Sequence, residues 1–127
     1  MSGRNRCVLD ASAVLALIQD EPGAKRLWAV APDAVVGAVN LAEVLAKLVG
    51  RGMPREEAVA AVDALHLEVA GFGPDEAVIS AAYVRKGVSL GDRCFLASAY
   101  VRGAGWTSDR TLASIESPQL PRIEFFR

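Results

Sequence analysis

The segment RCVLDASAVLALIQ, residues 6–19, contains a short strand, an acidic residue and a helix in direct succession. Residues 6–10 are predicted to form a strand, and residues 12–19 are predicted to form a helix of aliphatic side chains. Asp10 is the last residue of the strand. A strand that leads directly into a helix is typical of the βαβ unit, in which the strands run parallel.

The rest of the chain repeats this alternation. Helices are predicted at 23–31, 39–49, 55–65, 74–87 and 90–105, with one or two helical turns at 109–115. Further strands are predicted at 34–38, 66–72, 105–108 and 122–126. This order of elements predicts the α/β fold class, with a mainly parallel central sheet that is covered by helices on both faces.

The composition indicates a protein with an aliphatic core. The chain has 127 residues, which predicts a single domain over residues 1–127, and 52% of them are hydrophobic but only 6% aromatic. No apolar run reaches the length of a membrane span. The N-terminal segment MSGRNRCVLD has no apolar region of a signal peptide, so we expect a cytoplasmic protein.

The residue content argues against several kinds of site. Cys7 and Cys94 lie in apolar stretches without CxxC spacing and are expected to be buried free thiols. His66 is the one histidine, which argues against a zinc site and against Ser/His or Cys/His nucleophilic catalysis. The net charge of −1 does not favour nucleic-acid binding through bulk positive charge, although the distribution of charge matters more than its sum.

Four acidic residues lie at the ends of predicted elements. Asp10 ends the first strand, Glu43 lies in the first turn of the helix after the second strand, and Asp109 directly follows the fourth strand. Asp92 opens the last long helix. In a parallel sheet the strand-to-helix turns share one edge, where ligands bind in open α/β folds, so these carboxylates are expected to converge.

Each acid taken alone has an ordinary structural explanation. Asp is a common helix N-cap, and acids interact favourably with the helix N-terminus. For Glu43, the pattern predicts either a capping box with Asn40 as the N-cap or an ion pair with Lys47 one turn later.

The set of four acids is harder to explain by capping. Asp10 follows a buried strand, and four carboxylates at one edge repel one another unless some are protonated or a cation joins them. Mg²⁺ and Mn²⁺ are hard cations that prefer oxygen ligands, and they activate water and bind phosphate oxygens. The predicted chemistry is therefore phosphodiester hydrolysis.

Three segments carry a resemblance to a known family. VLDASAVLALIQDEPGA from Val8, VNLAEVLAKLV from Val39 and VSLGDRCFLASAYVRGAGWTSDRTLA from Val88 resemble, in that order, PIN-domain ribonucleases. Within the family, the chain is similar to VapC-type toxins of prokaryotic toxin–antitoxin pairs, and the likeness covers nearly the whole chain.

The resemblance implies a PIN-like three-layer α/β/α fold and an endoribonuclease dependent on Mg²⁺ or Mn²⁺. It also implies an RNA substrate such as tRNA or rRNA, a small cognate antitoxin that blocks the site, and a homodimer. Two bound divalent cations would change the net charge from −1 to about +3, with the gain at the active edge.

The resemblance assigns metal-binding and catalytic roles to Asp10, Glu43, Asp92 and Asp109. Ser12 and Thr107 match positions at which hydroxyl groups support the site, although helix capping or strand packing explains them equally well. Arg93 and Arg110 follow two of the acids and either contact RNA phosphate or balance local charge. For Arg93 we favour a pair with a neighbouring carboxylate.

Two helices are expected to present exposed faces, the one at 23–31 and the one at 55–65. Trp28 lies in the first of them. Its side chain is expected in the core, and the alternative is that it lines a groove for an antitoxin helix, because aromatic residues are enriched at interface cores.

Two other functions remain open at the level of sequence. One is a different magnesium-dependent α/β phosphohydrolase with an Asp nucleophile, but such enzymes have a second Asp two residues later, where this chain has Ser12. A phosphoacceptor receiver domain would need a neighbouring acid pair and a late lysine. The other is a catalytically silent PIN-like module that binds an antitoxin or RNA, against which the complete acid set argues.

Overall fold

The computed structural model describes residues 6–127, in which five strands form one sheet. The strands are β1 (Arg6–Leu9), β2 (Ala34–Gly37), β3 (Glu68–Ala70), β4 (Gly103–Thr107) and β5 (Arg122–Phe125). They lie in the order β3-β2-β1-β4-β5, and every neighbouring pair is parallel. The predicted parallel sheet is thus confirmed.

Within the same described residues, six α-helices connect and cover the strands. They are α1 (Ala11–Gln19), α2 (Ala24–Val30), α3 (Ala38–Gly50), α4 (Arg55–Asp63), α5 (Pro74–Ser80) and α6 (Leu90–Arg102). Short 3₁₀ turns span Ala31–Asp33, Ala81–Tyr83 and Arg110–Ser114.

The core consists of two apolar clusters on opposite faces of the sheet. Successive strand side chains point to opposite faces, so Val8 packs into one cluster and Leu9 into the other. The cluster around Leu9 takes its helical residues from α1 to α4, while the cluster around Val8 takes them mainly from α6. The predicted three-layer α/β/α arrangement is confirmed.

The strand order creates a crevice at the centre of the sheet. The chain runs outward from β1 through β2 to β3 and then returns to place β4 on the other side of β1. Ligands bind outside the carboxyl ends of the strands at such a switch point. Asp10 follows the last paired residue of β1, and its amide donates to the carbonyl oxygen of Trp106 in β4 at 3.2 Å.

The helix predicted at 74–87 is shorter in the structure. α5 ends at Ser80, and the 3₁₀ turn that follows ends at Tyr83, whose side chain is fully buried and whose hydroxyl donates to the carbonyl oxygen of Gln119 at 2.6 Å. Val84 is extended, and Gly87 has a φ of +85°. A helix cannot continue through these conformations, so residues 84–89 form a loop.

The boundary between α6 and β4 also differs from the prediction. The helix ends at Arg102 rather than at residue 105, because Gly103 adopts a φ of +126° that non-glycine residues rarely adopt. The strand begins at Gly103, two residues before the predicted start at 105. Its sequence, Gly-Ala-Gly-Trp-Thr, is poor in strand-favouring residues. A Cβ at Gly105 would lie 2.5 Å from Cζ of Phe95, so close packing against α6 explains this glycine.

The burial of four individual residues tests expectations drawn from the sequence. Trp28 is 49% exposed, so the expectation that it lies in the core is wrong. Cys94 is buried and free as expected, whereas free Cys7 is only partly buried. His66 is exposed in a left-handed turn before β3, which is shorter than the strand predicted at 66–72.

Within residues 6–127, no helix is long and apolar enough to cross a membrane. The prediction drawn from the N-terminal segment rests partly on residues 1–5, which lie outside the described residues.

Candidate functional site

A cavity of about 230 Å³ lies at the carboxyl edge of the sheet and brings the four predicted acids together. Its lining includes Asp10, Glu43, Asp92 and Asp109, which come from four different parts of the chain. Ser12, Asn40, Lys47 and Ser89 complete its polar lining. We call this space the acid cavity.

Asp10 is the most buried of these acids, and both of its carboxylate oxygens accept hydrogen bonds from protein groups. It is 8% exposed and forms the N-cap of α1. Its Oδ1 accepts from the Ser12 hydroxyl at 2.6 Å and from the Ala13 amide at 2.9 Å. Its Oδ2 accepts from the Thr107 hydroxyl at 2.5 Å. The carboxylate is therefore held in one orientation.

The electrostatic surroundings of Asp10 disfavour its negative charge. Burial is the main cause and raises the pKa of the Asp10 carboxyl. The three hydrogen bonds lower this pKa and so oppose the rise, while the negative charge of Asp92 adds to it. A nearby cation would relieve the unfavourable charge.

Ser12 and Thr107 contact Asp10 directly and connect it to the end of β4. The Ser12 hydroxyl also accepts from the Ser108 amide at 3.3 Å. The Thr107 hydroxyl, fully buried, accepts from the Asp109 amide at 3.0 Å. The two hydroxyl groups thus hold the end of β1 and the chain after β4 in a fixed relation.

Asp109 and Asp92 also cap helical turns, which is the ordinary role predicted for such acids at helix N-termini. Oδ1 of Asp109 accepts from the amide and the hydroxyl of Thr111 at 3.0 and 2.6 Å. Oδ2 of Asp92 accepts from the Ser89 amide at 3.2 Å, and the Ser89 hydroxyl accepts from the Asp92 amide at 3.1 Å. Capping and metal binding are compatible, because the capping bonds use only Oδ1 of Asp109 and only Oδ2 of Asp92.

Glu43 is not a capping residue. α3 begins at Ala38 with Gly37 as its N-cap, so the predicted N-cap role of Asn40 is wrong. Gly37 is extended, and the helix starts directly from β2 without a capping side chain. The Asn40 amide nitrogen donates to Oε1 of Glu43 at 2.7 Å and to the carbonyl oxygen of Gly91 at 3.2 Å. Asn40 therefore orients Glu43 and joins α3 to α6.

Gly91 provides the space that Glu43 occupies. A Cβ at this position would overlap the Glu43 carboxylate. The roles of Asn40 and Gly91 were not identified from sequence, although Asn40 and Glu43 have the i,i+3 spacing of helical neighbours. The sequence analysis also did not identify Ser89 as a residue of the site, although Ser89 and Asp92 form the Ser-x-x-Asp pattern of a capping box.

The cationic residues near the acids have different surroundings. Lys47 lines the acid cavity, whereas Glu43 accepts its hydrogen bond from Asn40. The Arg93 guanidinium donates to the carbonyl oxygen of Val88 at 3.1 Å, so the favoured pair with a carboxylate is replaced by a main-chain contact. The Arg110 guanidinium lies 4.8 Å from the centre of the Phe125 ring.

The donors of the acid cavity fit a hard, hydrated cation. They are oxygen atoms, which Mg²⁺ and Mn²⁺ prefer, and Mg²⁺ usually keeps several waters. Among residues 6–127, no three His, Cys, Asp or Glu side chains are grouped closely enough to hold a metal ion by themselves. Oδ1 of Asn40 is buried without a hydrogen-bond partner, whereas the nitrogen of the same amide donates to Glu43. Water would therefore complete the coordination of a cation here.

Comparison with solved structures finds the same fold in chains of low sequence identity. A chain in the DNA-bound VapBC structure from Salmonella typhimurium has 20% identity and a TM-score of 0.77, over 98% of this chain and 100% of that one. A chain in the DNA-bound VapBC2 structure from Rickettsia felis has 16% identity and a TM-score of 0.73, over 94% and 97%. A chain in VapBC-1 from nontypeable Haemophilus influenzae has 13% identity and a TM-score of 0.70, over 94% and 97%.

Comparison with curated proteins gives no match. Comparison with family models matches the PIN domain over residues 7–116, a range that contains all four acids of the cavity. This match covers most of the chain, and the chain therefore belongs to the PIN-domain family.

Proposed function

We propose that this chain is an endoribonuclease dependent on Mg²⁺ or Mn²⁺ and the toxin of a type II toxin–antitoxin pair. The observation that carries the nuclease proposal is the acid cavity, in which Asp10, Glu43, Asp92 and Asp109 meet at the switch point of a parallel sheet. Four carboxylates without a neutralising cation are unfavourable. A divalent cation removes this repulsion and attracts a phosphate.

A bound Mg²⁺ or Mn²⁺ would lower the pKa of a coordinated water and neutralise charge on the phosphate that is cleaved. The residues of this chain provide the geometry. Ser12 and Thr107 keep the Asp10 carboxylate in place, and Asn40 keeps Glu43 in place. Asp92 and Asp109 are fixed by the turns that they cap. Such preorganisation is what metal-assisted hydrolysis requires of its protein ligands.

The residue two positions after Asp10 argues against the alternative of a phosphatase with an Asp nucleophile. Such enzymes have a second Asp there, where this chain has Ser12. Ser12 also uses its hydroxyl on Asp10, so it does not replace the second Asp of those enzymes.

The nuclease proposal is tested by the removal of single charges. Asp10→Asn and Asp92→Asn should each abolish Mg²⁺- or Mn²⁺-dependent RNA cleavage while the fold survives, which circular dichroism would verify. Asp75→Asn is the matched control, because Asp75 is exposed in the first turn of α5 and should leave activity unchanged. Full activity in both site variants would show that the catalytic site has been misplaced.

The toxin proposal adds a cognate antitoxin, an RNA substrate such as tRNA or rRNA, a homodimer and a cytoplasmic location. It is supported by the resemblance of the sequence to VapC-type toxins and by the similar chains in VapBC structures. We propose that the antitoxin blocks the acid cavity with a basic side chain, which replaces the charge of the cation.

The toxin proposal is tested by purification of the chain together with the product of the neighbouring gene. A short partner protein should co-purify and suppress RNA cleavage, and its removal should restore cleavage. Sequencing of RNA ends after brief induction, with Asp10→Asn as the control, identifies the substrate. A chain that purifies alone, cuts RNA freely and is harmless on expression would refute the toxin proposal but leave the nuclease proposal intact.

A further inference from the structure

A second cavity, of about 410 Å³, has a lining of opposite character to that of the acid cavity. Its polar lining comes from Arg85, Lys86, Thr111 and Ser114, and no Asp or Glu is among the described residues that line it. We call this space the basic pocket. The two cations are suitable ligands for an anion such as phosphate. The hydroxyl groups of Thr111 and Ser114 donate within the protein, to Asp109 and to the carbonyl oxygen of Thr111.

The basic pocket adjoins the acid cavity at two places. Val88 lines the basic pocket, and the next residue, Ser89, lines the acid cavity. On the opposite wall, Thr111 of the basic pocket donates from its amide and its hydroxyl to Asp109 of the acid cavity, at 3.0 and 2.6 Å. A polymer that has one group in the acid cavity can therefore extend into the basic pocket.

The cationic loop is held by main-chain contacts that preserve its charge. The Arg85 guanidinium donates to the carbonyl oxygens of Ala82, Val84 and Glu116, at 3.3, 2.9 and 2.6 Å. Carbonyl oxygens fix a guanidinium without cancelling its charge. Lys86 is exposed at the tip of the same loop, so its ammonium group is accessible to a ligand.

We propose that the basic pocket binds a backbone phosphate of single-stranded RNA, adjacent to the phosphate that is cleaved. This proposal rests on the nuclease function proposed above. Phosphates recur along an RNA strand, so a strand with one phosphate at the acid cavity has others nearby. The four carboxylates repel those neighbouring phosphates, and Arg85 and Lys86 supply the compensating attraction. Because the contact is to the backbone, it does not depend on base sequence.

The test measures binding of a fluorescently labelled single-stranded RNA in Mg²⁺ at several salt concentrations. All proteins carry Asp10→Asn, so that cleavage does not disturb the measurement. Lys86→Ala should weaken binding for RNAs of different sequence alike. It should also reduce the slope of log K against log salt by about 0.7, the value for one phosphate contact on a single strand. Lys86→Glu should weaken binding further.

The matched control is Arg122→Ala, which removes one positive charge at the start of β5. This position lies at the amino ends of the parallel strands, whereas the acid cavity lies at their carboxyl ends. Arg122→Ala should leave the slope unchanged. The proposal would be overturned if both Lys86 variants bound RNA with the same affinity and the same salt slope as the Asp10→Asn parent. It would also be overturned if that parent bound no RNA. If the wild-type chain fails to cleave RNA while binding still depends on Lys86, the nuclease proposal fails and the phosphate subsite stands.

Discussion

Glu43 is the residue for which a purely structural role and a metal-binding role predict different outcomes. Glu43→Gln keeps the Oε1 acceptor that Asn40 uses, at 2.7 Å, and removes only the charge. We therefore expect a large loss of RNA cleavage with little change in melting temperature. The measurement pairs a cleavage assay with thermal denaturation. A fully active Gln variant would mean that Glu43 has a structural role alone.

Asp10 should make the stability of the metal-free protein depend on pH. Its pKa is raised in the folded state, so its contribution to stability is fully present below the unfolded value of about 3.9 and is lost as pH rises through the folded pKa. Asp10→Asn imitates the neutral form. The substituted side chain would keep an Oδ1 that can accept from Ser12 and Ala13, and its Nδ2 could donate to the Thr107 hydroxyl oxygen.

The expected result is a difference in melting temperature that grows with pH. In EDTA, Asp10→Asn should match the wild type near pH 4 and exceed it increasingly towards neutral pH, because only the wild type acquires the buried charge. Asp75→Asn should show no such trend, since Asp75 is exposed. A difference between Asp10→Asn and wild type that is independent of pH would contradict this reading of Asp10.

At the residue scale, sequence predicted the convergence of the four acids, because three of them follow strand ends and Asp92 begins a helix. It did not identify the partners that orient them. Asn40 was assigned as an N-cap because Asn commonly caps helices. The structure starts α3 at Ala38, directly after β2, which places Asn40 inside the helix and buries it. Only the three-dimensional contact with Gly91 reveals its role.

At the element scale, hydrophobic periodicity predicted the five strands and six α-helices of residues 6–127 but misplaced several boundaries, two of them for a clear physical reason. The periodicity of 74–87 continues past Tyr83, whereas the chain turns there so that the Tyr83 ring can be buried and its hydroxyl bonded to Gln119. The start of β4 was missed because its glycines are atypical of strands. Tertiary packing, which sequence periodicity does not report, decides both boundaries.

Gly105 in β4 provides a test of this explanation. Gly105→Ala would place a Cβ 2.5 Å from Cζ of Phe95 and 3.0 Å from Cβ of Ala99, so it should destabilise the protein by about 1–3 kcal/mol through overpacking. Gly50→Ala is the control, because a Cβ there meets nothing within 4 Å. Urea denaturation measures both. Equal stabilities for the two variants would contradict the proposed packing role.

At the scale of the whole molecule, the strand order determines which parts of the chain meet. The sequence predicts parallel strands, but it does not specify which strands are neighbours. The return of the chain from β3 to β4 places Thr107 beside Asp10, although 97 residues separate them. The acid cavity is thus built by segments from almost the full length of the chain. A ligand bound there stabilises the fold as a unit.

Metal binding should therefore raise the melting temperature of the entire protein. At a hundredfold excess of Mg²⁺ or Mn²⁺ over Kd, a ligand that binds only the folded state stabilises it by about 2.7 kcal/mol. Asp10→Asn should reduce this increase, because the acid cavity loses one negative charge, whereas Asp75→Asn should retain it. Differential scanning calorimetry in EDTA and in a metal titration compares the three proteins. An equal increase in all three would place the cation away from the acid cavity, because the cavity carboxylates would then contribute nothing to its affinity.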